Sequence, residues 1–195
     1  KGEHDLVGVI TGIVEKEKII TGENINIGDI VIGLPSSGLH TNGYSLARKV
    51  FFDIGRYNIK DTIPELNKSV GLTLLEPHIN YTNHIFSLID SKVSIKGIAH
   101  ITGGGFLENI PRILPEGLDI NIQKKSFPIL PVFSCIQSIG DLNEKEMYRT
   151  FNMGIGMAIV VDKKSVYDTK QLLNKHTTSY EIGEVVSGDK QVNLL

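Results

Sequence analysis

Residues 37–48 read SGLHTNGYSLAR, and this stretch decides how the rest of the chain is interpreted. It follows an apolar run at residues 30–34 and leads into a segment whose apolar residues recur at helical spacing. We therefore predict a buried strand, a polar loop and an amphipathic helix. Gly38 and Gly43 let a ligand approach the backbone closely, and Asn42 or Ser45 is predicted to cap the helix.

The residues of this loop leave two interpretations open. Loops at strand ends are where α/β proteins place ligand chemistry, and Ser37, His40 and Asn42 offer polar groups for it. A polar connection with glycines is also common, however, and a single histidine more often makes a structural hydrogen bond than catalyses a reaction. The spacing alone does not decide between these alternatives.

Composition excludes several classes of protein. Among 195 residues, 20 are basic and 22 acidic, so the chain lacks the polybasic surface typical of nucleic-acid binding. No apolar run approaches the ~18 residues that span a membrane. The single cysteine, Cys135, cannot form an internal disulfide, which favours a reducing compartment, and we interpret it as a small core residue. His78 and His84 lie six residues apart, which is not the spacing of metal ligands on a helix.

The order of apolar segments predicts one α/β domain with a central mixed sheet. Because the chain begins at Lys1 without methionine, we expect it to be a piece of a longer protein. Residues 58–68 are predicted to form an exposed insertion. We predict strands at residues 6–14, 19–20, 29–34, 95–102, 118–122, 152–161 and 180–186, and helices at residues 78–90, 106–114, 131–139, 144–151 and 165–175.

Two further stretches carry unusual residues. Gly103, Gly104 and Gly105 precede a helical pattern, where free backbone N–H groups can bind an anion and Arg112 can add contacts to a phosphate. The triple glycine is neither a P-loop nor a dinucleotide fingerprint, so phosphate binding is one option among others. Asn152 and Gly154 open a very apolar strand.

Three stretches together resemble one family. SGLHTNGYSLAR, AHITGGGFLENIPRILP and EMYRTFNMGIGM, in this order, resemble the C-terminal half of the aminoimidazole ribonucleotide synthetases, also called phosphoribosylformylglycinamidine cyclo-ligases. The resemblance implies a three-layer α/β/α domain with a central mixed sheet. It also implies that residues 1–195 form a single C-terminal domain, with the N-terminal ATP-binding and dimerisation domain absent from this chain. The opening KGEHDLVG resembles the join between the two domains.

The resemblance implies a reaction of purine biosynthesis. Such enzymes convert formylglycinamidine ribonucleotide and ATP to aminoimidazole ribonucleotide, with ATP phosphorylating the formyl oxygen before an internal amine closes the ring. Phosphorylation makes the oxygen a better leaving group, and proximity of the amine favours closure. ATP and Mg²⁺ are expected mainly on the missing domain. The intact enzyme is expected to be a cytoplasmic homodimer without nucleic-acid or membrane partners, and this chain alone is expected to be inactive.

The resemblance also assigns residues to a site. His40 and Asn42 are the implied catalytic residues, and no metal ligand is assigned to this chain. The implied substrate- or phosphate-binding residues are Ser37, Gly38, Gly103, Gly104, Gly105, Asn109, Arg112, Arg149, Asn152 and Gly154.

One segment departs from the family pattern. Residues 74–81 read LLEPHINY, with His78 and Ile79 where the family usually has threonine and arginine. A ligand contact is therefore either lost or replaced by His78. The alternatives are other ATP-using members of the superfamily (formylglycinamidine ribonucleotide synthetase, selenophosphate synthetase, thiamine-monophosphate kinase or a hydrogenase-maturation protein) or a non-catalytic binding module of the same fold.

Overall fold

A computed structural model describes residues 7–195 of the chain. The strands within these residues are β1 (Ile30–Pro35), β2 (Thr62–Ile63), β3 (Lys68–Ser69), β4 (Ile95–His100), β5 (Leu118–Ile122), β6 (Ile155–Val161), β7 (Tyr180–Ser187) and β8 (Val192–Leu194). The α-helices are α1 (Tyr44–Arg48), α2 (Val70–Leu74), α3 (Thr82–Asp90), α4 (Gly105–Asn109), α5 (Pro131–Gly140), α6 (Glu144–Thr150) and α7 (Val166–Leu173). Helix α1 continues as a wider π-helical segment, Lys49–Ile54, and α4 continues as a 3₁₀ helix, Ile110–Ile113.

Six strands form the central sheet in the order β4-β6-β1-β7-β5-β8. Neighbouring strands are antiparallel except for β5 and β8, which are parallel. The predicted mixed sheet is therefore confirmed. The short strands β2 and β3 pair with each other in a separate hairpin.

Helices cover both faces of this sheet, which confirms the three-layer α/β/α architecture. On one face, α1, α4, α5 and α6 bury large side chains such as Phe106, Phe133 and Tyr148 against the sheet. On the other face, α3 and α7 bury Leu88 and Leu173 in a smaller apolar cluster. Removal of these side chains from water is the main force that holds the layers together.

The strand predicted at residues 6–14 is wrong for the part that the structure describes. Residues 7–14 form no helix or strand, and Leu6 lies outside the described residues. Val9 and Ile10 are more than nine-tenths exposed, and Ile13 is fully exposed. β-branched residues favour extended backbone, but a strand also needs a partner to bond its N–H and C=O groups. No such partner lies within the described residues.

Other boundaries also differ from the prediction. Residues 19–20 form no strand, and residues 58–68 are not simply exposed because Ile63 and Leu66 are buried. The residue before α1 is Gly43, in the left-handed conformation with φ of 71°, and no side chain caps this helix. Strand β8 was not predicted. By contrast, the side chain of Asn143 caps α6, where its Oδ1 accepts a hydrogen bond from the Glu146 N–H.

Within residues 7–195, no helix is both long enough and apolar enough to cross a membrane.

Candidate active site

The three unusual stretches meet at one end of the central sheet. β1 and β4 run in the same direction because each is antiparallel to β6, which lies between them. The loops after β1 and β4 and the loop before β6 therefore share one edge. The register places Pro35 opposite Ile155 and His100 opposite Met157, so these loops leave adjacent strand ends.

Asn152 joins the loop before β6 to the loop after β1. Its Oδ1 accepts hydrogen bonds from Ser36 Oγ at 2.8 Å and from the Gly154 N–H at 2.9 Å. Its Nδ2 donates to the Gly38 carbonyl at 2.8 Å. The side chain is only 2% exposed, so these bonds form away from water, where an unpaired polar group is costly. Asn152 thus fixes two loops relative to each other.

Asn42 makes the equivalent connection to the glycine loop after β4. Its Oδ1 accepts a hydrogen bond from the Gly103 N–H at 3.0 Å, and its Nδ2 donates to the His40 carbonyl at 2.8 Å. The two asparagines therefore connect all three stretches that the sequence singled out.

His40 is fully buried inside its loop. Its Nε2 accepts a hydrogen bond from the Ser37 N–H at 3.0 Å, which leaves the proton on Nδ1 in the neutral ring. Nδ1 is buried without a hydrogen-bond partner among the described residues. Burial, helped by His78 and His100, lowers the pKa of His40 to about 4. In this state His40 is a neutral ring that holds the loop in shape.

Three of the eight residues other than glycine that have positive φ within residues 7–195 lie in these loops. His40 and Thr41 have φ of 52° and 63°, and Met153 has φ of 53°. Residues with side chains avoid this region, and β-branched Thr41 avoids it most strongly. Each such residue costs about 1–3 kcal/mol and persists only where its surroundings enforce it. His40 and Thr41 are consecutive, so the loop after β1 holds two strained residues side by side.

The glycine loop is shaped from both sides. Gly104 has φ of 98° and Gly105 has φ of 55°. A Cβ on Gly105 would lie 2.0 Å from the Tyr148 carbonyl oxygen, so this glycine allows α4 and α6 to pack closely. Asn109 Nδ2 donates to the Gly105 carbonyl at 2.8 Å and also lies within hydrogen-bond reach of the Gly103 carbonyl at 3.2 Å. Asn109 is 5% exposed and therefore supports the loop from inside.

Gly103 is the member of the loop with free space around it. The nearest atom to a Cβ on Gly103 would be Asn42 Oδ1, 3.8 Å away. Backbone conformation and close packing therefore account for Gly104 and Gly105, and no ligand is needed to explain them. Gly103 is the glycine that leaves room for a ligand.

The two arginines assigned to the site have different surroundings. Arg149 Nε donates to Glu108 Oε1 at 3.0 Å, and the Glu108 side chain lies against Gly104. Arg149 is therefore beside the glycine loop and offsets the charge of Glu108. Arg112 is exposed, and no described contact brings it to the loop. Its neighbour Ile113 packs towards Gly97, away from the strand ends.

A cluster of rings next to His40 was not predicted. The ring of His78 stacks on His40 with centroids 4.1 Å apart, and His78 Nε2 lies 3.2 Å from His100 Nε2. The Tyr81 hydroxyl donates to the Pro35 carbonyl at 2.6 Å, at the end of β1. The sequence analysis considered His78 together with His84. In the structure, the histidine beside His78 is His100, the last residue of β4. Only the topology of the sheet reveals that pair.

These rings line a cleft of about 600 Å³ beside the three loops. Its other walls are mostly apolar and come from the start of α3 and from β6. Within residues 7–195, no group of three or more His, Cys, Asp or Glu side chains is arranged to hold a metal ion.

Fold and site together define an α/β/α domain with three polar, glycine-bearing loops at one edge of its sheet, and comparison with known families gives the class. The family of AIR synthase related proteins, C-terminal domain, matches residues 26–193, and the chain belongs to this family. Phosphoribosylformylglycinamidine cyclo-ligase from Caldanaerobacter subterraneus subsp. tengcongensis is 50% identical over all 195 residues. The enzyme of the same name from Alkaliphilus oremlandii is 48% identical over the same length. The chain spans 57% of the length of each of these two relatives.

Solved structures of the same fold are more distant in sequence. The E. coli hydrogenase maturation protein HypE aligns over 94% of this chain and 50% of its own, with a TM-score of 0.60 and 18% identity. Thiamine monophosphate kinase from Aquifex aeolicus aligns over 92% of this chain and 54% of its own, with a TM-score of 0.52 and 17% identity. At this identity the likeness establishes the shared fold.

Proposed function

We propose that this chain is the C-terminal domain of a phosphoribosylformylglycinamidine cyclo-ligase and forms the part of its active site that binds formylglycinamidine ribonucleotide. Identity of 50% along the whole chain to an enzyme of that name carries the proposal. The convergence of the three loop motifs at one sheet edge, connected by Asn42 and Asn152, supports it. The alternative superfamily members have weaker support, since HypE and thiamine monophosphate kinase are only 18% and 17% identical.

In this proposal the ribonucleotide phosphate binds at Gly103, whose surroundings are open, with Arg149 supplying positive charge nearby. His40 and Asn42 act at the reacting end, where the His40 ring, kept neutral at physiological pH because burial lowers its pKa to about 4, stabilises charge on the formyl oxygen. ATP and Mg²⁺ bind mainly to the part of the enzyme outside this chain. The whole enzyme is a homodimer that acts in the cytoplasm.

Thermal stability of this chain with each ligand tests the proposal. Formylglycinamidine ribonucleotide at ~100 times its dissociation constant stabilises by about 2.7 kcal/mol and raises the melting temperature by about 5–10 °C. We expect this shift with the ribonucleotide and none with Mg-ATP. A matched variant, Arg149→Gln, is expected to reduce the shift, whereas Lys125→Gln on the exterior leaves it unchanged.

A shift with Mg-ATP and none with the ribonucleotide would contradict the assignment, because the glycine loop would then serve the nucleotide. The role of His40 needs the complete enzyme. If His40→Ala leaves turnover nearly unchanged while the fold is kept, His40 is structural and the catalytic assignment fails.

A further inference from the structure

The strongest unassigned feature is the histidine pair in the cleft beside the loops. His78 and His100 are both exposed, and their Nε2 atoms lie 3.2 Å apart. At this distance one ring donates a hydrogen bond to the other, so two ligating nitrogens share one proton. A single cation can replace that proton and bind both nitrogens.

The distance between the nitrogens fits such a cation. Zinc binds histidine nitrogen at ~2.0–2.1 Å, so two histidines on one tetrahedral zinc place their nitrogens ~3.3 Å apart. The pair in this structure needs almost no movement to reach that geometry. Neutral imidazole is also the commonest protein ligand for transition metals.

Both rings are held in place before any ligand arrives. His100 ends β4 within the central sheet, and His78 stacks on His40 with an interplanar angle of 17°. His40 is itself fixed, because its Nε2 accepts the Ser37 N–H. Ligands held by packing and by a second layer of hydrogen bonds lose little freedom when a metal binds.

The surroundings favour a soft or borderline cation. Met157 lies directly opposite His100 across β4 and β6, and its side chain lines the same cleft. No carboxylate lines this cleft among the described residues. Imidazole and thioether groups suit zinc, nickel and copper, whereas Mg²⁺ prefers oxygen ligands. With only two histidines, coordination positions stay open for water or a ligand.

We propose that His78 and His100 bind one transition-metal cation of the zinc class at the mouth of this cleft. This site goes beyond the proposed cyclo-ligase activity, whose Mg²⁺ accompanies ATP on another part of the enzyme. A metal here lies beside the glycine loop, because His100 is three residues before Gly103 in the sequence.

Isothermal titration calorimetry of this chain with Zn²⁺ alone, in buffer free of chelators, tests the site. We expect one zinc ion per chain and no displacement by millimolar Mg²⁺. His78→Ala and His100→Ala are each expected to weaken binding at least about tenfold. The matched control is His176→Ala, which removes a histidine that packs against His84 on the same side of the sheet without an Nε2 pair.

Three results would overturn the proposal: no zinc binding by the unaltered chain, unchanged affinity in His78→Ala, or displacement by Mg²⁺. His78→Gln, which keeps a polar side chain of similar size, serves as a second variant, and the melting temperature of each variant confirms its fold. The probe is the metal alone, so a chain that does not bind zinc leaves the ribonucleotide assignment intact. A chain that does not bind the ribonucleotide likewise leaves the zinc site intact.

Discussion

At the scale of single residues, Asn152 in the loop before β6 holds two loops of the site together through buried hydrogen bonds. Asn152→Ala removes one donor and one acceptor that together serve three partners, the Ser36 hydroxyl, the Gly154 N–H and the Gly38 carbonyl. Because these groups stay buried without replacements, we expect a loss of about 3 kcal/mol in the free energy of unfolding. Chemical denaturation measures this loss.

The control for that prediction is Asn24→Ala, since Asn24 is exposed and we expect a change within about 0.5 kcal/mol. Equal stability of the two variants would mean that Asn152 does not hold the loops together.

His40 makes stability depend on pH. Its pKa is about 4 in the folded chain and 6.5 when free, so between these values only the unfolded chain binds the proton. Its contribution is therefore complete above about pH 6.5 and is lost as the pH falls towards 4. The pKa values of His84, which is buried, and of His100, whose ring is partly shielded from water and lies beside His78, are also lowered and act in the same direction. We expect the melting temperature to fall by several degrees between about pH 7.5 and about pH 5.

Calorimetry of His40→Gln provides the test of this pH dependence. Glutamine can still accept the Ser37 N–H but does not titrate, so the variant is expected to lose part of the decline. A decline as steep as that of the unaltered chain would assign the effect to the other histidines.

At the scale of elements, contact between α4 and α6 depends on one glycine. Gly105→Ala places a Cβ against the Tyr148 carbonyl in a left-handed conformation, so we expect a loss of about 3 kcal/mol or more in stability. Gly117→Ala is the matched control, because Gly117 also has positive φ, 82°, but has open space around it. Its expected loss is about 1–2 kcal/mol. If the denaturation curves of the two variants coincide, glycine is needed at position 105 for its positive φ and not for the contact between α4 and α6.

The elements also show how far sequence reasoning reaches. β1, β5 and α5 were predicted within a residue or two because their apolar periodicity and flanking prolines or glycines act locally. β8 has only three residues and gains its stability from parallel pairing with β5. No local sequence pattern predicts that pairing. Residues 7–14 have strand-like composition, but composition does not supply a partner.

The candidate site was likewise predicted from the sequence only in part. The motifs around His40, Gly103 and Asn152 stood out by residue type, and strands that end at a common edge bring them together. The supporting role of Asn109 and the pairing of His78 with His100 depend on distances that only the folded chain defines. Sequence reasoning therefore found the loops but not how their side chains are used.

At the scale of the whole molecule, the apolar segment at residues 7–14 lies outside the packed domain. Because Val9, Ile10 and Ile13 are almost wholly exposed, we expect this chain to self-associate through the segment. Deleting residues 1–18 is expected to reduce association and to change the melting temperature by less than about 2 °C, since Val7 to Lys18 bury no side chain in the core.

Sedimentation velocity and calorimetry on the two lengths of chain measure both effects. A longer deletion, of residues 1–25, serves as the contrast, because it also removes Ile25, which is buried, and is therefore expected to destabilise the domain. A large fall in melting temperature for the shorter deletion would show that the segment belongs to the folded unit.

The position of β1 in the sheet has a consequence for synthesis on the ribosome. Both neighbours of β1, the strands β6 and β7, come from the last third of the chain. The first residue of β6 is made about 120 residues after β1 ends, which takes on the order of 6–24 s at ~5–20 residues per second. Throughout that time the apolar sequence IVIGLP has no strand to pair with. We therefore expect the central strand of this chain to stay unpaired until late in translation, where chaperones that bind extended apolar segments can reach it.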